Sequence, residues 1–155
     1  MKVDIPTLDC GRLPVRHAAD GDGGSPPIRW SGVPDAAREL AVLMQAVNAD
    51  DEPVFTHWVA WGIDPARRQL DGGLKGKPDP DVPEGMVQGT GDQDSAGYQP
   101  PVAVLNRPQD LCLRVLALDT TLELGPGTPV SQFEQAISGH VIDEGEVRFQ
   151  YVRPG

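Results

Sequence analysis

The sequence predicts an antiparallel β-sandwich, mainly β, with one or two short helices. Three observations carry that expectation. Glycine (18) and proline (16) punctuate the 155 residues too often for a helical bundle. Several apolar or alternating stretches have strand length and are rich in β-branched and aromatic residues. A single stretch has convincing helical spacing, and the long polar segments between elements read as loops gathered at one end of a sandwich.

Residues 1–27 carry turn chemistry and little periodicity. The acidic glycine run at 20–24 lacks the twelfth-position glutamate and flanking helices of a calcium loop. Residues 28–30 fit a short strand, and 34–38 a single turn. Residues 40–44 are continuously apolar, as in a strand covered on both faces. In 54–63, strict alternation puts Phe55, His57, Val59 and Trp61 on one face and Val54, Thr56, Trp58 and Ala60 on the other. Residues 111–118 form another apolar run, and 147–152 alternate as a half-exposed last strand. The helix begins after Thr128, with Thr128 as its cap and Pro129 at its first position. Val130, Phe133 and Ile137 form its apolar stripe. Residues 64–110 are mostly loop, a length that in compact domains usually serves function. No repeat or linker divides the chain, so residues 1–155 are expected to form one domain.

A formal charge of -10 and a pI near 4.5 repel nucleic acid and anionic membranes, so neither is an expected partner. No segment approaches the roughly 20 apolar residues of a membrane helix, and residues 1–6 lack the apolar run of a signal peptide. A cytoplasmic location is expected. Cys10 and Cys112 are too few for a disulfide scaffold; Cys112 lies in an apolar run and is expected as a buried free thiol. His17, His57 and His140 have no metal-ligand spacing, and Ser25, Ser31, Ser95, Ser131 and Ser138 sit in no nucleophile elbow. No metal or cofactor is expected.

Five segments resemble the phosphatidylethanolamine-binding protein (PEBP) family, specifically its bacterial Raf-kinase-inhibitor-like branch. Residues 25–34, SPPIRWSGVP, resemble the family's SPPLxWxGxP run. Residues 55–63, FTHWVAWGI, resemble its HWV strand, and residues 83–90 with Gly97, Tyr98, Pro100 and Pro101 its long loop. Ala117-Leu118-Asp119 stands where the family has YALD, and Ser138-Gly139-His140-Val141 where it has HGH. No one piece is specific; the ordered set is.

The resemblance implies two packed sheets and a small anion pocket at one end, where imidazole, tyrosine and glycine-exposed N–H donors hold phosphate- or carboxylate-like groups. Carried over residue by residue, that pocket is degenerate. The aspartates of the family's DPDAP motif become Ala46 and Asn48, and the histidine and tyrosine of its GxHRY run become Gln109 and Leu111. The glycine-cysteine-proline-proline loop falls on residues 99–103, and His17 stands where bacterial members usually carry tyrosine. The HWV histidine is kept as His57. The candidate ligand-binding residues are Ala46, Asn48, His57, Tyr98, Pro100, Pro101, Gln109 and Leu111. Losing three charge-assisted bonds, each worth about 1.5–3 kcal/mol, would leave a drier pocket for a small organic molecule.

Two functions follow from different classes. One is a binding module for a small organic ligand. The other is a pocket enzyme of specialised metabolism, in which His57 assists a cyclisation or isomerisation as acid or base. A homodimer is left open. His57 is expected to point into a cavity bordered by the 45–50 turn, residues 97–101 and the 105–110 loop, with Asn48 or Gln109 as its hydrogen-bond partner.

Overall fold

In the computed structural model, residues 1–74, 82–92, 96–103 and 107–153 are described; Ser95 and residues 105–106 of the expected pocket border lie outside them. The elements are β1 (Lys2–Asp4), a 3-10 turn (Val15–His17), β2 (Ile28–Ser31), β3 (Glu39–Val47), β4 (Pro53–Ile63), β5 (Gln69–Leu70), β6 (Val87–Gln88), β7 (Gln109–Leu118), α1 (Val130–Ile137) and β8 (Val141–Tyr151). They form a three-stranded sheet ordered β1-β2-β5 and a five-stranded sheet ordered β6-β4-β3-β7-β8. Every strand pair in both sheets is antiparallel, so the expected antiparallel, mainly β fold is the one observed.

The continuous apolar run of β3 has the expected cause. Leu40, Val42, Met44 and Ala46 point into the larger core cluster, which includes Ile28, Trp30 and Leu70 of the small sheet. Ala41 and Leu43 point the other way, into a second cluster closed by Phe133 of α1. β7 divides its side chains in the same manner. The central sheet is therefore covered on both faces, and its inner strands dispense with a polar side.

β4 departs from strict alternation. Met44 pairs with Trp58 and Gln45 with Thr56, so the register passes over His57. This is a β-bulge, one extra residue that re-aims the side chains on either side of it. Before the bulge Phe55 packs on the larger cluster; after it Trp58 and Ala60 do, while Val59 and Trp61 join the cluster under α1. The expected face of Phe55, His57, Val59 and Trp61 is thus split at the bulge. His57 belongs with Phe55, and Trp58 points to the same side.

The helix also begins differently from the expectation. Pro129 stands outside it as the cap, with no side-chain cap bond, and the Thr128 hydroxyl donates to the Gly125 carbonyl at 2.7 Å. β8 runs six residues earlier than the alternation at 147–152 indicated. Its first half faces solvent on both sides, so nothing in its hydrophobic pattern marks it as a strand. The short β1, β5 and β6 carry too few residues for a periodic signal.

Candidate functional site

One end of the central sheet collects most of the candidate residues. Ala46, near the end of β3, pairs with Phe55 on one side and Leu111 on the other, and all but Phe55 are buried. Gln109, two residues before Leu111 on β7, faces the same side and pairs across to Tyr151. Asn48 lies beyond the strand end in the exposed β3–β4 turn. Its side-chain oxygen accepts the backbone N–H groups of Asp50 (2.9 Å) and Glu52 (3.0 Å), as asparagine commonly does in tight turns.

His57 is 4% exposed. Its ring lies beside that of Phe55, with centroids 4.7 Å apart and planes tilted by 58°. Nδ1 is 3.0 Å from the carbonyl oxygen of Gln99, and the Gln99 N–H returns a 2.9 Å bond to the His57 carbonyl. The partner of the ring is therefore a backbone carbonyl, in place of the Asn48 or Gln109 side chain expected from the sequence. Gln99 reaches it because residues 88–92 and 97–99 run outward from β4 in succession. The Gly89 N–H bonds the Val59 carbonyl, the Gly97 N–H the Gly89 carbonyl, and the Gln99 N–H then returns to His57. Gly91 is needed in that path, because a Cβ there would lie 2.3 Å from the Thr56 oxygen.

A carbonyl oxygen only accepts, so Nδ1 carries the ring proton and Nε2 of the neutral ring presents a lone pair. Nε2 is buried and has no hydrogen-bond partner among the described residues, and the same holds for Gln109 Oε1 and Gln88 Nε2. Burial pushes the His57 pKa below its ordinary 6.5; the Gln99 bond and the charge of Asp92 oppose this more weakly. Asp92 is itself fixed by the backbone N–H of Thr56 at 2.5 Å. The site thus holds a neutral imidazole with one nitrogen anchored and one unsatisfied, a deficit of about 1–3 kcal/mol if nothing fills it.

Tyr98, Pro100 and Pro101 flank Gln99 in the chain and meet Trp58 and the N-terminal segment. Tyr98 is fully buried, stacks edge-on against Trp58 with centroids 5.5 Å apart, and donates its hydroxyl to the His17 carbonyl at 2.7 Å. Burial alone raises its pKa far above the usual tyrosine range. Pro101 is buried and its carbonyl accepts the Ala19 N–H at 3.0 Å, while Pro100 is half-buried against Gly23. His17, at the substituted tyrosine position, has both ring nitrogens bonded, Nδ1 to the Gly24 carbonyl (3.0 Å) and Nε2 to the Thr7 hydroxyl (3.2 Å).

Open clefts lie elsewhere on the surface. One of about 630 Å³ opens at the opposite end of the sheet, between Arg38, Glu39, Ile63 and Met86. Its buried carboxylate, Glu39, accepts the Leu122 N–H at 3.3 Å and so already holds the loop behind it. A cleft of about 470 Å³ reaches Asn48 and Leu111 from the side of Cys10 and Arg148. Neither includes His57. The chemical signal, a buried polar atom without a partner among the described residues, favours the His57 end over these open clefts. Among the described residues no three histidine, cysteine, aspartate or glutamate side chains converge on a point that could hold a metal ion.

Sequence reasoning missed two contributors to the candidate site: the Gln99 carbonyl and Asp92. The first acts through its backbone, and Asp92 stands on a loop tied to Thr56 by backbone and carboxylate bonds. No local pattern marks either of them.

The architecture is that of a β-sandwich built round a five-stranded antiparallel sheet. The chain belongs to the phosphatidylethanolamine-binding protein family, whose description matches residues 6–152. It is 37% identical to a UPF0098 protein of Methanothermobacter thermautotrophicus over 149 residues, covering 94% of this chain and 93% of that protein. It is 32% identical to a UPF0098 protein of Pyrococcus abyssi, covering 91% and 79%. Among solved structures, Escherichia coli YbcL, a member of the mammalian PEBP family, superposes with a TM-score of 0.85 at 21% identity, covering 99% and 98% of the two chains. A PEBP homologue from Chlamydia trachomatis gives 0.82 at 24%, covering 99% and 97%. These two likenesses show the fold.

Proposed function

We propose that this PEBP-family protein binds a small organic ligand at the His57 end of its central sheet and holds phosphate groups poorly. The observation that supports this best is the buried, unpartnered Nε2 of His57, on the same face as Ala46 and the equally unpartnered Gln109 Oε1. A phosphate needs several donors around it. Here the family's aspartate, histidine and tyrosine positions hold alanine, glutamine and leucine, and the retained histidine offers a lone pair. The proposed site comprises Ala46, His57, Tyr98, Pro100, Pro101, Gln109 and Leu111, with Asn48 at its outer edge. No helix among the described residues is long and apolar enough to cross a membrane. A cytoplasmic place is part of the proposal and is supported by two free thiols, exposed Cys10 and buried Cys112.

Calorimetric titration with phosphoethanolamine tests the reading. Binding no tighter than about millimolar is expected, and a micromolar constant would contradict it. A second reading, in which His57 acts as acid or base in a cyclisation or isomerisation, is supported by that same lone pair, since a neutral ring with a free nitrogen is a competent base. Replacing His57 by asparagine separates the two readings, retaining part of the binding while removing proton transfer.

A further inference from the structure

We infer that the His57 site selects ligands that bring their own hydrogen-bond donors, with an O–H or N–H of the ligand directed to His57 Nε2 and a second to Gln109 Oε1, and that it discriminates against anions. The inference rests on the reading of this end of the sheet as a ligand site and names the ligand class for it.

The argument begins with hydrogen-bond polarity. The 3.0 Å contact from Nδ1 to the Gln99 carbonyl allows one neutral tautomer, the one whose Nε2 is bare. That contact is part of a reciprocal backbone pair, because the Gln99 N–H bonds the His57 carbonyl at 2.9 Å. The ring cannot flip to offer Nε2–H without breaking its anchor. The second unsatisfied atom, Gln109 Oε1, is also an acceptor. By the alternation of β7, Gln109 shares a face with Leu111, whose row runs through Ala46 to Phe55, the ring neighbour of His57. Two buried acceptors without donors are complemented by a ligand with two donors, such as a neutral alcohol, diol or primary amide.

An anion meets the opposite situation. Placed at a bare imidazole nitrogen it faces a lone pair, and it can bind only if a proton arrives with it. Burial lowers the affinity of the ring for that proton. The charge that bears on the ring is the carboxylate of Asp92, which favours the proton but repels an anionic ligand directly. Polar discrimination of this kind is strong because the mismatched ligand leaves buried groups unpaired.

The test uses matched fragments on the full chain at about pH 7.5: benzyl alcohol against benzoate, and acetamide against acetate. The ring nitrogens of His57 are followed by long-range nitrogen–proton NMR. The neutral member of each pair should move the Nε2 resonance in a saturable way while Nδ1 stays nearly still, and the anion should bind at least about tenfold more weakly. Gln109→Met, which removes the second acceptor at similar volume, should weaken acetamide at least about threefold. Anions that perturb His57 as tightly as their neutral partners would overturn the selection and leave a ligand site in place. A His57 ring indifferent to all four fragments would overturn the ligand site itself, and the selection with it. Unchanged acetamide affinity in Gln109→Met would overturn the two-acceptor arrangement.

Discussion

His17 and His57 are both buried, and each is anchored through Nδ1 to a backbone carbonyl 3.0 Å away. Burial depresses the pKa of both. They differ at the other nitrogen. His17 Nε2 meets the Thr7 hydroxyl, whereas His57 Nε2 meets nothing among the described residues. The N-terminal segment around His17 is regular in its satisfaction: the His17 carbonyl takes the Tyr98 hydroxyl, and neighbouring backbone groups close the 3-10 turn. The segment around His57 is bulged, lies beside Phe55, and leaves the ring's Nε2 without a partner among the described residues. The same residue type therefore serves as a finished structural contact in one place and as an unfinished one in the other.

The largest effect expected from this contrast is on stability. His17→Phe removes two hydrogen bonds and strands the Gly24 carbonyl, so it should destabilise by about 2–4 kcal/mol. His57→Phe takes one bond from the Gln99 carbonyl but also removes one unsatisfied atom, so it should cost less, about 1–2 kcal/mol. Urea unfolding of both variants measures the difference, and the reverse order would break the comparison.

Tyr98→Phe sharpens it. That hydroxyl links the loop behind His57 to the His17 carbonyl in a fully buried place. Its loss should cost about 1–2 kcal/mol. The His57 ring resonances should change less in this variant than those of His17.

The smallest effect is on pH dependence. For both histidines the folded pKa lies below the ordinary 6.5, so the unfolded chain binds more protons in the interval between the two values. Stability contributed by their neutral forms is complete above pH 6.5 and falls as pH drops from there towards the folded pKa values. Melting temperature should decline between about pH 7.5 and 5.5, and His57→Phe should remove part of that slope. Glu39, whose pKa burial raises from 4.5, acts in the opposite direction, because the unfolded chain gives up its proton first. A melting temperature that rises over the interval would assign control to Glu39.

Much of the fold was legible because the central strands β3, β4 and β7 are long and apolar on one or both faces. The parts that escaped have physical reasons. The first half of β8 is exposed on both sides, and β1, β5 and β6 are two or three residues long. The bulge at His57 carries no glycine or proline to announce it, so strict alternation runs through it and puts Val59 and Trp61 on the face of Phe55, which the structure does not. At the site, the position of His57 could be read from the HWV resemblance. Its anchor could not, because a backbone carbonyl has no residue type. Asn48 was legible as a replaced aspartate, yet its amide oxygen closes the β3–β4 turn.

The central claim is that His57 is a neutral ring whose Nε2 stands ready as an acceptor. Long-range nitrogen–proton NMR of the ligand-free protein at about pH 7.5 reads this directly. The account predicts a single histidine with Nδ1 protonated, Nε2 bare and no proton bridging Nε2 to a neighbour, with His17 showing the same tautomer and a hydrogen-bonded Nε2. A His57 ring protonated on Nε2, or doubly protonated at that pH, would contradict it.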